Sequence, residues 1–297
     1  MNMKYTLKND ELTVEFNTFG AEITSIRDSS GLEFLWQGDK QYWKGQAPVL
    51  FPIVGSLRNK RASIGGDKTC CMEQHGLARR MEFDRVNQDD QSITFSVCSD
   101  ELTRERYPYD FQLLVRYVLE EKSIATVYTV VNAGTEAMPF QIGGHPAFNC
   151  PLTDRESFGE YIVEFDCEET AECPKLVPET GLVNVEDRVP ILNHAKVLKL
   201  DHSLFREDAL IFDSLQSRGA RLFNPETGRG VRIDFPDFRY FLVWSSANNG
   251  PFVALEPWTG LGTCSDEDDV FEKKRGVCLA APGDSKTFSY RVTILNG

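Results

Sequence analysis

The chain has 297 residues, 41% hydrophobic and 26% charged, enough to build a sizeable core and too apolar for overall disorder. Thirty-two Lys and Arg stand against 45 Asp and Glu, a net charge of −13. That field repels phosphate backbones and anionic lipid, so neither nucleic acid nor a membrane surface is an expected partner, and it still allows one small basic pocket.

The chain opens Met1-Asn2-Met3-Lys4-Tyr5 and turns polar, with no apolar signal-peptide core and no 18-residue apolar run after it. A cytoplasmic protein in a reducing compartment is therefore expected. Short alternating or β-branched runs follow one another: Leu12–Phe16, Ser92–Val97, Phe111–Leu119, Ile124–Val131, Tyr161–Phe165, Val231–Phe235, Phe241–Trp244 and Thr287–Leu295. Period-2 alternation gives each strand one face for a core and one for water. Turn residues punctuate the runs, among them Asn9-Asp10, Gly65-Gly66, Ala133-Gly134 and Pro282-Gly283. The pattern predicts an all-β protein built as a large antiparallel sandwich, with one short helix near Ser203 to Arg206. The acidic run Ser265 to Asp269, leading into Glu272-Lys273-Lys274-Arg275, reads as a solvated loop, as does Glu164 to Glu169. No linker, repeat or low-complexity segment interrupts the chain, so one domain over 1–297 is expected.

The eight cysteines are scattered apart from the adjacent Cys70-Cys71, with no CxxC pair and no Cys/His spacing suited to zinc. They read as free thiols, mostly small buried hydrophobes, and no metal site is expected.

Four histidines and one glutamate invite chemistry. His75 lies in Gln74-His75-Gly76-Leu77-Ala78-Arg79, where it is either satisfied by backbone groups or placed beside a ligand. His145 lies in Gly143-Gly144-His145-Pro146, an unusual backbone that suggests a positioned side chain. His194 and His202 sit in polar contexts and read as surface or capping residues. Glu256 ends the apolar run Phe252-Val253-Ala254-Leu255-Glu256, just before Pro257-Trp258. Alternation places Val253 and Leu255 on one face, Ala254 and Glu256 on the other. An acid closing an apolar strand beside tryptophan is a candidate for a desolvated base with a raised pKa. A histidine and a glutamate together supply what opens a hemiacetal ring, a base for the anomeric hydroxyl and an acid for the ring oxygen. Phe148, Trp244 and Trp258 offer flat faces to a pyranose, or else plain core packing.

Five short segments, in this order, resemble the aldose 1-epimerase (galactose mutarotase) family. They are Phe51-Pro52-Ile53-Val54-Gly55, Gln74 to Arg79, Tyr107-Pro108-Tyr109-Asp110-Phe111, Gly144 to Asn149 and Leu255-Glu256-Pro257-Trp258. The wording is nearest to the LacX-like branch. The resemblance implies a galactose mutarotase-like β-supersandwich and a cofactor-free interconversion of aldose anomers. Residue by residue it implies Glu256 as general base, His145 as general acid and His75 as a sugar-binding histidine. For the aspartate that grips hydroxyls, Asp201 and Asp208 compete, and Asp208 is preferred because it directly precedes a strand. The family's sugar-binding arginine falls within Gly55-Ser56-Leu57-Arg58-Asn59-Lys60-Arg61, leaving Arg58, Lys60 and Arg61 open, with Arg58 taken first. Phe148 follows Ala147 where the family has an aromatic, and is expected against the sugar. Arg79 resembles the basic residues of the hexose-phosphate branch. The expected ligand is thus a small aldose, plain or phosphorylated, bound by a monomer or homodimer. A non-catalytic sugar-binding module and a hexose 6-phosphate mutarotase stand as the alternatives. A cupin-like metal site is disfavoured, since no His-x-His pair is present.

Overall fold

The computed structural model describes residues 3–177 and 179–297. Its architecture is dominated by two antiparallel sheets. The larger has nine strands in the order Leu182–Lys199, Ile162–Val177, Gly219–Phe223, Arg229–Asp234, Ser285–Asn296, Ser123–Asn132, Phe111–Glu120, Ser92–Cys98 and Asp84–Gln88. The smaller runs Leu210–Phe212, Tyr240–Trp244, Phe252–Trp258, Gly143–Gly144 and Val49–Leu50, and Ala147–Asn149 also pairs with Phe252–Trp258. A three-stranded sheet over Lys4–Lys8, Leu12–Asn17 and Ile23–Asp28 completes the main framework.

Alternation decides what lies between the layers. In Phe111–Glu120, Leu113, Val115, Tyr117 and Leu119 are buried while the residues between them are partly or fully exposed. They share one core with Phe241, Val243, Val253 and Leu255 of the smaller sheet. Burying each such side chain stabilises the fold by about 1.5–3 kcal/mol. The opposite face of the smaller sheet carries Tyr240, Leu242, Ala254 and Trp258, which pack in two separate clusters. Both faces of this sheet are therefore covered, and Glu256 projects on the second one.

The strands Ile162–Val177 and Leu182–Lys199 form a long hairpin whose tip folds across that second face. The tip is clipped there by main-chain bonds, Val183 N–H to Thr263 C=O at 3.0 Å and Ser265 N–H to Val183 C=O at 2.8 Å.

Two local expectations change. The segment near Ser203 is a 3₁₀ turn, His202–Phe205, whereas the α-helix among the described residues is Glu101–Arg104, capped by Asp100 accepting from the Thr103 N–H at 2.7 Å. The acidic segments are not wholly solvated either. The Glu267 side chain is only 6% exposed where it pairs with Lys274, and Glu169 is buried against the backbone N–H groups of Gln216 and Ser217. All eight cysteines are free thiols, four of them buried.

Candidate active site

The register of the smaller sheet brings His145 to Glu256. Gly143 pairs with Trp258 and Ala147 with Ala254, so the bend between those pairs sets His145 opposite Glu256. The Leu255 N–H donates to the Pro146 C=O at 3.0 Å and pins the bend. His145 Nε2 then lies 3.2 Å from Glu256 Oε2, with the two side chains 8% and 2% exposed.

Around this pair is a cavity of about 280 Å³, lined also by His75, Arg79, Asp208 and three tryptophans, Trp43, Trp244 and Trp258. Leu176 and Val183 of the hairpin tip close one side. Two of the polar side chains stand on strained backbone, with His75 at φ 67° and Asp208 at φ 93°, a region that non-glycine residues seldom occupy. Beside His75, a Cβ on Gly76 would lie 2.4 Å from the Phe51 carbonyl oxygen, so the chain passes there only as glycine.

His75 has a defined hydrogen-bonding state. The Gly55 N–H donates to its Nδ1 at 3.1 Å, so Nδ1 is the acceptor and the neutral ring carries its proton on Nε2. Burial, with His145 and Arg79 nearby, holds its pKa well below the usual histidine range. His75 is thus a fixed neutral donor, edge-on to both His145 and Trp258.

Burial likewise pushes the Glu256 carboxyl well above its ordinary range, and the Asp208 charge adds to the effect. It pushes the His145 imidazole down to about 3. Asp208 is raised by burial too, while its Oδ1 accepts from the Ala209 N–H at 2.8 Å. Three buried polar atoms of residues that line the cavity, His145 Nδ1, Glu256 Oε2 and Trp258 Nε1, make no hydrogen bond of good geometry, Glu256 Oε2 having only His145 Nε2 beside it at 3.2 Å. Leaving such atoms unmet costs about 1–3 kcal/mol each. Arg79 is partly buried and forms no ion pair among the described residues. Among those residues no cluster of three or more His, Cys, Asp or Glu is arranged to hold a metal ion.

Of the residues singled out in the sequence, His75, Arg79, Asp208, His145 and Glu256 share this cavity; Arg58 and Phe148 do not. Phe148 is 1% exposed and belongs to the main core, because its strand position turns it to the opposite face from Ala147. The Arg58 guanidinium is engaged by the Cys264 and Glu267 carbonyls and by Asp269. Lys60 pairs with Glu73, and Arg61 is exposed. Asp201 caps the His202 turn by accepting from the Ser203 N–H at 2.8 Å, which leaves Asp208 as the aspartate at the cavity. Trp43, which lies in an irregular segment without periodicity, was not signalled by the sequence. It stacks on His145 with ring centroids 4.8 Å apart and planes 22° from parallel.

The family profile described as aldose 1-epimerase matches residues 3–274. The LacX protein of Lactococcus lactis subsp. lactis, plasmid-borne form, is 46% identical over 99% of this chain and 100% of its own length. A galactose mutarotase related enzyme from Lactobacillus acidophilus superposes with a TM-score of 0.93 at 31% identity, over 98% of this chain and 97% of that one. A galactose mutarotase-like protein from Lactobacillus casei gives 0.90 at 29% identity, over 98% and 100%.

Proposed function

The chain belongs to the aldose 1-epimerase family, and from that premise we propose that it interconverts the α and β anomers of an aldose, with Glu256 and His145 as the acid–base pair. The observation that carries this reading is the buried pair 3.2 Å apart, whose two residues line a cavity sized for a small ligand together with His75, Arg79 and Asp208.

The pair shares one proton. In its apolar surroundings the charges separate poorly, and the favoured arrangement is a neutral carboxyl on Glu256 beside a neutral imidazole. Hydroxyls delivered by a sugar offset that cost and stabilise the carboxylate–imidazolium form. The Glu256 carboxylate then takes the proton of the C1 hydroxyl while His145 gives its Nε2 proton to the ring oxygen. The bond from C1 to the ring oxygen breaks and C1 becomes a carbonyl. Rotation about C1–C2 presents the other face, and the same protons return to close the opposite anomer. No electrons or groups leave, so the residues alone balance the reaction. His75 donates to a hydroxyl through Nε2–H, and Asp208 accepts from one.

Magnetisation-exchange NMR on a panel of aldoses tests the reading. Enhanced exchange lost in both Glu256→Gln and His145→Asn is expected. Full exchange in either folded variant would overturn the assignment, and sugar binding without any enhancement would favour a non-catalytic module.

Arg79 favours a second reading for the ligand, a sugar phosphate, since its guanidinium lines the cavity without an ion-pair partner. Faster exchange of a hexose 6-phosphate than of the free hexose, with inhibition by inorganic sulfate, is the expected sign. Indifference to both leaves Arg79 to bind hydroxyls.

A further inference from the structure

Trp43 touches the proposed acid more closely than any other aromatic ring does. Its indole lies nearly parallel to the His145 imidazole at 4.8 Å, while Trp244 meets that ring edge-on at 5.6 Å. The segment that bears Trp43 is held in place at several points. Trp36 Nε1–H donates to the Trp43 carbonyl at 2.8 Å, and Asn248 Nδ2–H to the Gln41 carbonyl at 2.8 Å. The Glu22 carboxylate accepts the N–H groups of Gln46 and Ala47 at 3.0 and 2.7 Å. Two residues on, only glycine leaves the indole where it is, because a Cβ at Gly45 would lie 2.4 Å from Trp43 Cζ2. The fold therefore fixes an indole whose near face is occupied by the imidazole.

We propose that Trp43 is a positioning residue that holds the plane of the His145 ring and favours its protonated form through the indole face. The inference rests on the acid–base reading above. An imidazolium over an aromatic face is attracted by the ring quadrupole, most strongly when water is excluded. The other ionisable groups around His145 are Glu256, His75, Arg79 and Asp208, and Arg79 opposes the imidazolium. The indole is the uncharged partner that supports it.

The test compares Trp43→Leu, Trp43→Phe and Gly45→Ala with the unaltered protein. Loss of the indole should lower kcat by about tenfold, leave KM within about twofold, and move the acid limb of the pH–rate profile to lower pH by about one unit. Trp43→Phe, which keeps a ring face, should retain at least about a third of kcat. Gly45→Ala keeps the tryptophan and shifts it, and should reproduce part of the loss. The His145 imidazole, followed by ¹⁵N NMR without sugar, should titrate at lower pH in Trp43→Leu and Gly45→Ala. A rise in KM with kcat and the acid limb unchanged would make Trp43 a sugar platform and overturn the proposal. An unchanged imidazole titration in Gly45→Ala overturns it as well, even where Trp43→Leu does not fold. Full turnover in His145→Asn would instead sink the acid–base reading, and the titration would still report whether Trp43 holds the ring.

Discussion

Two buried ionisable pairs of nearly equal length lie in this protein and have opposite characters. His145 and Glu256 are 3.2 Å apart; Lys274 and Glu267 are 3.3 Å apart, with side chains 2% and 6% exposed. Around the second pair every polar group is met. Lys274 Nζ–H donates to Thr263 Oγ1 at 3.0 Å, and the Glu267 carboxylate accepts the N–H groups of Cys264 and Arg275 at 3.0 and 2.8 Å. Around the first pair His145 Nδ1 is unpartnered, Glu256 Oε2 meets only His145, and the two residues line a cavity. Separation and burial do not distinguish the two. What does is whether the fold has supplied the remaining hydrogen bonds.

The comparison breaks most visibly in rates. Glu256→Gln and His145→Asn should each cost roughly 10²–10⁴ in anomer exchange with the fold intact, read by NMR exchange and circular dichroism on the same samples. Lys274→Met should do the reverse. It removes the buried cation and leaves Glu267 only the half-exposed Arg275, whose Nη1 lies 3.3 Å from Oε1, so about 1–3 kcal/mol of stability should be lost in denaturant unfolding, while the folded fraction keeps its specific activity. A Lys274→Met protein of normal stability would show that the satisfied pair adds nothing to the fold.

Glu256 should also reveal its cost through pH. Its carboxyl titrates higher in the folded state than the ordinary 4.5. Such a group contributes its stability below 4.5, and that contribution is lost as pH rises toward the folded value. Glu256→Gln should therefore match the parent near pH 4.5 and become the more stable protein above it. The gap should grow by at most about 1.4 kcal/mol per pH unit in urea melts run from pH 4.5 to 7. A constant gap across that range would mean that Glu256 ionises normally.

Much of this was legible in the sequence, for identifiable reasons. The alternation through Phe252 to Trp258 assigned Val253 and Leu255 to the core and Glu256 to the other face, where it lies. The glycines before His145 marked a bend. That the two residues meet depends on the pairing of strands about a hundred positions apart, which no local pattern records. Arg58 stood in the right wording but is drawn off by carbonyls more than two hundred residues away. Phe148 was misassigned by one step of the same alternation that succeeded at Glu256. Trp43 gave no periodic signal, and only the glycine two residues on hints at a ring folded back. The acidic run looked uniformly solvated, yet Glu267 turns inward because four donors converge on it, the Cys264 and Arg275 N–H groups, Lys274 Nζ and Arg275 Nη1.

The smallest expected effect sits in that same run. Asp266 is the immediate neighbour of Glu267 and receives both Nη groups of Arg275 at 2.8 and 2.7 Å, a geometry better than that of the buried Lys274 pair. Its side chain is 43% exposed and that of Arg275 36%, so water and salt screen most of the attraction. Asp266→Asn should cost no more than about 1 kcal/mol in denaturant unfolding, and the loss should shrink as salt is raised toward 1 M. A penalty as large as that of Lys274→Met and unaffected by salt would mean that the two-pronged geometry outweighs exposure. Burial with full hydrogen bonding would then no longer account for the contrast between the pairs.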